Sequence, residues 1–177
     1  MQRTGSQVLV RGATPNDAGE LYHLQAAIYR ESRWFIGDSP PSPESLTRRL
    51  RSTDPKMSLY LIAVCNDEFC GWLELHRLHP SKVRHVAILT LAVGSAWRRR
   101  GVAREMLARS YRWGIRVGVG KISLNVRAEN RAAVALYQDQ GFVLEGCERN
   151  HIRLGDRFED NLIMAKFLSR GDDGVGS

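Results

Sequence analysis

The stretch "RHVAILTLAVGSAWRRRGVAREMLARS", residues 84–110, passes from a strand pattern through an arginine-rich loop into a helix pattern. Residues 84–93 are almost all β-branched or aliphatic, which is typical of a strand that is covered on both faces. Beyond the loop, apolar and small residues recur at the i, i+3, i+4, i+7 spacing of a core-facing helix stripe. This stripe comprises Ala103, Met106, Leu107, Ser110, Trp113, Gly114 and Val117. The stretch therefore predicts a central strand followed by an amphipathic helix.

The loop between these two elements has the features of an anion site. Residues 98–100 are consecutive arginines, and Gly101 follows them directly. A helix that starts here aims its backbone N–H groups and the positive end of its dipole at one point. Gly101 has no Cβ, so a phosphate can approach the backbone closely. By contrast, Arg109, Arg112 and Arg116 fall opposite the apolar stripe, and we interpret them as a solvated face.

The flanking segments alternate between strand and helix patterns. Thr14 and Pro15 are typical of a helix start, with Asp17 at the capping-box position. The remaining predictions are a strand at 7–12, helices from Pro15 to about Tyr29 and from Pro43 to Leu50, a hairpin turning at Asn66 and Asp67, a strand at 121–126, a helix that Asn130 caps and Gly141 ends, and a last hairpin around Gly155 and Asp156. The strand–helix–strand order from residue 84 to 126 indicates a parallel crossover.

Length and composition favour one globular domain. The chain has 177 residues, of which 43% are hydrophobic and 25% charged. We expect a single domain over residues 1–168 and a disordered tail over 169–177, "SRGDDGVGS". No apolar run approaches the roughly 20 residues that span a bilayer, and the start lacks the apolar core of a signal peptide, so the expected location is the cytoplasm. Three cysteines, Cys65, Cys70 and Cys147, suit reduced thiols better than a disulfide framework.

The net charge of +7 indicates a surface that attracts anions. Nucleic acid, an acidic membrane and a phosphorylated ligand would all satisfy it. Seven of the arginines lie within residues 97–116, against one glutamate. This segment lacks the recognition-helix pattern that would read bases, so we favour a small phosphorylated ligand over nucleic acid.

Two motifs resemble those of a known family. "LAVGSAWRRRGVA", residues 91–103, resembles the acyl-CoA signature of the GNAT superfamily of N-acetyltransferases, R/Q-x-x-G-x-G/A, through Arg98, Gly101 and Ala103. "NRAAVALYQDQGF" is similar to the family's N-x-x-A-x-x-L-Y-x-x-x-G-F, through Asn130, Ala133, Leu136, Tyr137, Gly141 and Phe142. The order of strands and helices fits the family from about Val8 to Leu168.

The resemblance implies an α+β fold with a mixed, mainly antiparallel sheet of about seven strands. In that fold the two central parallel strands splay apart and admit the pantetheine arm of acetyl-CoA. The backbone of Leu91 and Val93 would pair with pantetheine amides, residues 98–104 would hold the pyrophosphate, and Asn130 would touch the arm. The implied cofactor contacts are Leu91, Ala92, Val93, Arg98, Arg99, Arg100, Gly101, Val102, Ala103, Arg104, Asn130, Ala133 and Tyr137.

Acetyl transfer to an amine requires a neutral nitrogen, a stabilised oxyanion and a proton for the departing thiolate. The resemblance puts the Tyr137 hydroxyl near the CoA sulfur, as general acid, and makes the Val93 N–H the oxyanion donor. A helix-face aromatic packed into the core is the alternative interpretation of Tyr137. Direct transfer in a ternary complex is expected.

The base and the acceptor contacts stay open at this point. Several residues on predicted strands could reach the site, namely Glu74, His76, His85, Glu145, Glu148 and His151. "HRLH" at 76–79 does not predict a metal site, because alternate strand residues point to opposite faces. Cys65 and Cys70 have neither zinc-clamp spacing nor a histidine partner, and we interpret them as buried or partly buried thiols.

The last strands resemble bacterial small-molecule and amino-acid acetyltransferases, through Gly155, Phe158, Asp160 and Met164. Ribosomal-protein N-terminal acetyltransferases end similarly. The expected acceptor is therefore a small amine or amino acid, with a protein N-terminus, or a non-catalytic CoA- or nucleic-acid-binding role, as alternatives. A basic rim of Arg30, Arg33 and Arg84 would suit a carboxylate-bearing amine. Dimers are common in the family, so a homodimer is a further expectation.

Overall fold

A computed structural model describes residues 8–31 and 34–169 of the chain. Arg33 and residues 170–177, which include nearly all of the tail predicted to be disordered, lie outside the described residues. The strands are β1 (Leu9–Gly12), β2 (Ser58–Cys65), β3 (Glu68–Arg77), β4 (Val86–Val93), β5 (Lys121–Arg127), β6 (Val143–Leu154) and β7 (Arg157–Phe167). The helices are α1 (Ala18–Arg30), α2 (Pro43–Arg51), α3 (Val102–Val117) and α4 (Arg131–Asp139).

The strands form one sheet in the order β1-β2-β3-β4-β5-β7-β6. Within it β4 and β5 are parallel, and every other neighbouring pair is antiparallel. The predicted α+β class, the seven strands and the central position of β4 are thus confirmed. Asn66 and Asp67 form the predicted turn with φ of 50° and 62°, as a two-residue hairpin requires.

Helices cover the two faces of the sheet differently. Leu73 and Leu75 point to the face that packs on α3, whereas Ile62 and Trp72 point to the face under α1 and α2. This division follows from the period of two along a strand. Cys65 and Cys70 are buried thiols, as predicted, and Cys147 is an exposed one.

The predicted stripe of α3 is largely correct. Met106, Leu107, Ser110, Trp113 and Gly114 are buried, and Arg109, Arg112 and Arg116 are exposed. The correction concerns the edges of the stripe. Val102 and Tyr111 are buried, whereas Ala103 and Val117 are only partly so. The buried face is therefore wider on one side than the simple spacing indicates.

The pairing of β4 with β5 is short. Only Val86, Ala87 and Ile88 pair, with Lys121–Ser123 of β5. From Leu124 onward β5 continues to pair with β7 on its other side. The two strands therefore separate, and we call the gap between residues 89–93 and residues 124–127 the splay. It confirms the separation of central strands that the family resemblance implies.

The splay also corrects one prediction. The last residues of β4, 90–93, are partly exposed instead of covered on both faces. The apolar run reflects a strand that borders a gap as well as a core. Among the described helices, the longest has 16 residues, and none has the length and apolar character needed to cross a membrane.

Candidate active site

The backbone of β4 points into the splay at two positions. Gly71 and Val93 face each other across β3 and β4, and the Gly94 N–H donates to the Cys70 carbonyl at 2.9 Å. This pattern makes Gly71 and Val93 a non-hydrogen-bonded pair, so the Val93 N–H and C=O point away from β3. Two residues earlier, Leu91 has the same orientation. Both face the side where β5 has already diverged, so an extended ligand with amide groups can pair with them.

Arg98 holds the end of β4 in place. Its Nε donates to the Val93 carbonyl at 3.0 Å, and its Nη2 donates to Glu31 Oε2 at 2.6 Å. Glu31 directly follows α1. Arg98 therefore links the end of α1 to the end of β4, a contact that the sequence does not predict.

The loop before α3 opens a space for an anion. Gly101 is the N-cap of α3 with φ of 82°, and a Cβ at this position would meet no atom within 4 Å. Because the first intrahelical bond runs from the Glu105 N–H to the Gly101 carbonyl, the N–H groups of residues 102–104 have no partner within the helix. They point out of the helix end, where the dipole favours negative charge.

The other arginines of this segment differ in their surroundings. Arg99 is exposed, and Arg100 lies over the Trp97 ring at 5.2 Å. Arg104 pairs with Asp139 of α4 at 2.9 Å, with more than half of each side chain exposed. The Arg104–Asp139 pair therefore connects α3 and α4 at the surface.

The second motif brings Asn130, Ala133 and Tyr137 together on α4. Asn130 Oδ1 accepts from the Ala133 N–H at 3.3 Å and caps the helix, as predicted. Tyr137 is 7% exposed, with its ring 5.4 Å from that of Phe142. Burial raises the pKa of Tyr137, because the charged phenolate would lose its hydration. Tyr137 is thus a core residue whose hydroxyl keeps its proton at neutral pH.

Glu74 lies on the other face of the sheet, under α2. The Tyr60 hydroxyl donates to Glu74 Oε1 at 2.5 Å, and Arg49 Nη1 lies 3.4 Å from both carboxylate oxygens. Burial and the Glu74 carboxylate raise the pKa of Tyr60. In register, Glu74 faces Thr90 of β4. Glu74 is therefore one strand away from the splay.

The structure does not gather the three predicted histidines. His76 is exposed on β3, and His151 is exposed on β6, 3.7 Å from Glu148. His85 precedes β4 at its paired end, where its carbonyl accepts from Gly120 and Lys121. A strand rises about 3.3 Å per residue, so His85 lies about 25 Å from Val93. His85 is therefore at the wrong end of the splay for acetyl transfer.

The predicted basic rim is divided, because Arg30 directly precedes Glu31 at the end of α1 and Arg84 precedes β4 at its other end. Arg30 Nε donates to the Ala26 carbonyl of its own helix at 3.3 Å. Arg84 is next to His85, and its carbonyl accepts from Arg77.

"HRLH" is only partly on a strand, since β3 ends at Arg77. Over residues 8–31 and 34–169, no three His, Cys, Asp or Glu side chains are arranged to hold a metal ion.

A polar cluster on β5, β6 and β7 contains Glu148, which is one of the candidate bases named above, and three residues that the sequence patterns did not single out. Arg127 is 7% exposed and pairs with Glu159 at 2.6 Å. Asn161, 2% exposed, donates from Nδ2 to Glu148 Oε2 at 2.6 Å. A signal was present, because Asn125 and Arg127 alternate with apolar residues along β5. Alternation of this kind indicates a strand with one polar face.

Comparisons with known proteins agree with this geometry. The family model described as "Acetyltransferase (GNAT) family" matches residues 20–142. The L-amino acid N-acetyltransferase AaaT of Escherichia coli is 26% identical over 167 residues, which cover 91% of this chain and 98% of AaaT. The N-alpha-acetyltransferase RimI of Mycobacterium tuberculosis is 31% identical over 147 residues, covering 83% of this chain and 85% of RimI.

Two further comparisons concern length and fold. The chain spans only 34% of a longer Mycobacterium leprae protein, to which it is 30% identical over 135 residues. A GNAT superfamily phosphinothricin acetyltransferase from Sinorhizobium meliloti, solved in complex with AcCoA, superposes with a TM-score of 0.83 over 92% of this chain and 89% of that one. Its 15% identity shows the fold alone. The match over residues 20–142, together with the RimI relative, establishes that this chain belongs to the GNAT family of acetyltransferases.

Proposed function

We propose that the protein transfers an acetyl group from acetyl-CoA to the primary amine of a small molecule or amino acid, by direct attack in a ternary complex. One observation carries the proposal. The outward-facing backbone of Leu91 and Val93 and the N-terminus of α3 lie on one continuous segment, 91–104. An extended amide-containing arm that ends in a pyrophosphate has the chemistry to use both.

Residues of this segment fit acetyl-CoA. Leu91 and Val93 would pair with the pantetheine amides, with Ala92 between them. The N–H groups of residues 99–104 would bind the pyrophosphate, and the open space in front of Gly101 leaves room for it. Arg98 contributes by holding the Val93 carbonyl. Asn130, Ala133 and Tyr137 of α4 would line the other side of the arm. The bound cofactor supplies an activated thioester carbonyl.

The catalytic roles follow from protein groups at the splay. The acceptor nitrogen attacks the thioester carbon, the C–S bond breaks, and the amine proton leaves to a base or to water. The Val93 N–H would donate to the carbonyl oxygen as it becomes an oxyanion. The Tyr137 hydroxyl would give its proton to the departing sulfur, because a phenol is protonated at neutral pH and can act as a donor.

Among the acceptor-side candidates, Glu74 has the best support. Its carboxylate is fixed by Tyr60 and Arg49, next to the strand that borders the splay. His76 and His151 would belong to the exposed rim of the acceptor face. His85 does not enter the proposal, because of its distance from Val93.

A protein N-terminus is the second candidate acceptor. The 31% identity to a mycobacterial N-alpha-acetyltransferase favours it, whereas the longer match to an L-amino acid N-acetyltransferase favours the first candidate.

Location in the cytoplasm and a homodimer are also part of the proposal. The dimer is supported by Val143 and Leu144 on the edge strand β6, 54% and 58% exposed. Light scattering after size exclusion tests the dimer.

The deciding experiment measures thiol release from acetyl-CoA with amino acids, amino-acid amides, polyamines and N-terminal peptides as acceptors. We expect turnover with at least one free amine, and acetyl-CoA binding by calorimetry. A preference for peptides over free amino acids would select the second candidate. Absence of turnover with every amine, together with absence of acetyl-CoA binding, would falsify the proposed enzymatic function. Binding without turnover would favour the non-catalytic alternative.

A further inference from the structure

Two consecutive residues of the loop after α1 contact opposite sides of the splay. Phe35 stacks on Tyr29 of α1 at 4.7 Å and on Trp72 of β3 at 5.6 Å. Trp34 instead covers the guanidinium of Arg127, at the end of β5, at 5.4 Å. On one side the splay is bordered by β5, and on the other side by β4, with β3 behind it. The pair Trp34–Phe35, which we call the bridge, therefore crosses the splay on the face of α1 and α2.

The Arg127 guanidinium, against which Trp34 packs, is held in one orientation by Glu159. Arg127 donates from Nε and Nη2 to Glu159 Oε2, at 2.9 and 2.6 Å. The two side chains are 6% and 15% exposed. A buried guanidinium with a paired carboxylate keeps one orientation, and its plane offers a flat surface to an aromatic ring. The position of Trp34 is therefore set by β5 and β7 as well as by its own loop.

The bridge lies close to the reactive end of β4. Glu31 is three residues before Trp34, and its carboxylate reaches the Val93 carbonyl through Arg98. Three residues span at most about 11 Å between Cα atoms. Phe35, the next residue, stacks on Trp72, and Trp72 faces Ala92 in register, so the pair lies beside the strand end that carries the proposed oxyanion donor.

The surface beside the bridge is open and polar. Asn125, two residues before Arg127, is exposed, so α1 and α2 do not cover this part of the face. Next to it, the buried Asn161 Oδ1 accepts no hydrogen bond from the described residues. A buried ion pair costs more desolvation than an apolar pair of the same size, so core packing alone does not account for Arg127 and Glu159 here.

We infer that Trp34 is the specificity-determining wall of the acceptor subsite, and that Arg127 and Glu159 are its positioning residues. The inference rests on the proposed function and adds the acceptor class. The subsite takes a primary amine whose substituent presents a compact apolar or aromatic face to the indole of Trp34, with the polar surface of Asn125 and Asn161 on its other side. Bulkier substituents are excluded by the bridge between Trp34 and Phe35.

The test compares Trp34→Ala and Trp34→Phe with wild type. The acceptors are the amides of glycine, alanine, leucine, phenylalanine and tryptophan, with thiol release as the readout. In Trp34→Ala, we expect KM for the best wild-type amine to rise at least about tenfold, the range in which a pocket discriminates small groups. The preference should move toward larger substituents, while the Kd of acetyl-CoA stays within about twofold of wild type. Trp34→Phe should keep most of the wild-type acceptor profile, because it retains an aromatic ring over Arg127.

Two variants serve as matched controls. Ile36→Ala removes a 62% exposed apolar side chain from the same loop. Phe158→Ala removes an exposed aromatic ring that lies over Arg153 at 6.0 Å, on the β6–β7 hairpin. Both should keep the wild-type acceptor profile. Glu159→Gln should shift the profile in the same direction as Trp34→Ala, with thermal unfolding recorded to verify that it folds.

The outcomes separate this inference from the proposed function. Wild-type turnover with an unchanged acceptor profile in Trp34→Ala overturns the inference alone. Equal losses of acetyl-CoA binding and amine selectivity in Trp34→Ala also overturn it, since they indicate a structural role. A wild-type protein that acetylates none of the amides or other amines overturns the proposed function and the inference with it.

Discussion

Arg98 and Val93 are joined by a 3.0 Å hydrogen bond from the guanidinium Nε to the backbone carbonyl. The same guanidinium reaches Glu31 at the end of α1. The family signature implies a phosphate contact for this arginine, yet its contacts fix the strand end that borders the splay. Arg98 therefore has a positioning role that can be separated from charge.

Arg98→Lys keeps the charge and loses the two directed hydrogen bonds. We expect kcat to fall by about 10- to 100-fold, because small displacements of a reacting group cost this much, with a smaller change in the Kd of acetyl-CoA. Arg109→Lys, on the exposed face of α3, should leave both constants unchanged. If Arg98 were mainly a phosphate ligand, the lysine variant would instead keep kcat and show a salt-dependent loss of affinity.

Gly101 and Gly118 provide a matched pair at the two ends of α3. Both have left-handed φ, 82° and 81°, and a Cβ at either position would have open space around it. Gly101→Glu and Gly118→Glu should each lower the free energy of unfolding by about 1–2 kcal/mol, from the same backbone strain. Only Gly101→Glu puts a negative charge at the proposed pyrophosphate site.

Calorimetric titration with acetyl-CoA distinguishes the two glycine variants. We expect a Kd at least about tenfold higher for Gly101→Glu, and wild-type affinity for Gly118→Glu. Equal affinities of the two variants for acetyl-CoA would indicate that the pyrophosphate does not bind at the α3 N-terminus.

Tyr137→Phe removes the proposed acid and retains the ring in the core. We expect kcat to fall by about 10²- to 10⁴-fold while the Kd of acetyl-CoA is retained. Far-UV circular dichroism and thermal unfolding check that the fold is kept. Unchanged turnover would assign the proton to water or to another side chain.

The raised pKa of Tyr137 also predicts a dependence of stability on pH. The folded state favours the protonated phenol, so its contribution is complete below the ordinary tyrosine pKa of about 10 and declines as pH rises above it. Urea unfolding between pH 8 and pH 11, about one unit beyond that pKa, should show a steeper loss for wild type than for Tyr137→Phe. Parallel curves for the two proteins would contradict this prediction.

The Asp17–Arg11 pair predicts a loss of stability at low pH, whereas Tyr137 predicts one at high pH. Hydrogen bonds from Arg11, above all, and from Thr14 lower the pKa of Asp17 to about 2. Its contribution to stability is therefore present above the ordinary pKa of about 4 and is lost as pH falls toward 2. Asp17→Asn should lower the free energy of unfolding at neutral pH by about 1 kcal/mol, and the difference from wild type should vanish at the acid end.

The sequence carries the order of elements because local patterns determine them. The capping box of Thr14 and Asp17, the turn at Asn66 and Asp67 and the cap of Asn130 all depend on neighbours within a few residues. Each could be predicted from residue type and spacing. The splay could be expected only from the family resemblance, because an apolar strand has the same pattern beside a gap and inside a core.

The side-chain contacts across the sheet were not predictable in this way. Trp34 and Arg127 are separated by 93 positions, and nothing in the spacing of either pairs them. The exclusion of His85 also needed the structure, since it depends on which end of β4 is paired. Long-range register, more than residue type, decides which polar groups share a site.

The three-residue ladder between β4 and β5 has a mechanical consequence. The sheet is continuous across its middle only at that closed end, and the backbone of Leu91 and Val93 is left without a neighbouring strand. Acetyl-CoA in the gap would act as an eighth strand, adding the missing pairing from the ligand side. We expect the amide hydrogens of Leu91 and Val93 to exchange far more slowly in the complex, so that the ligand completes the fold that binds it.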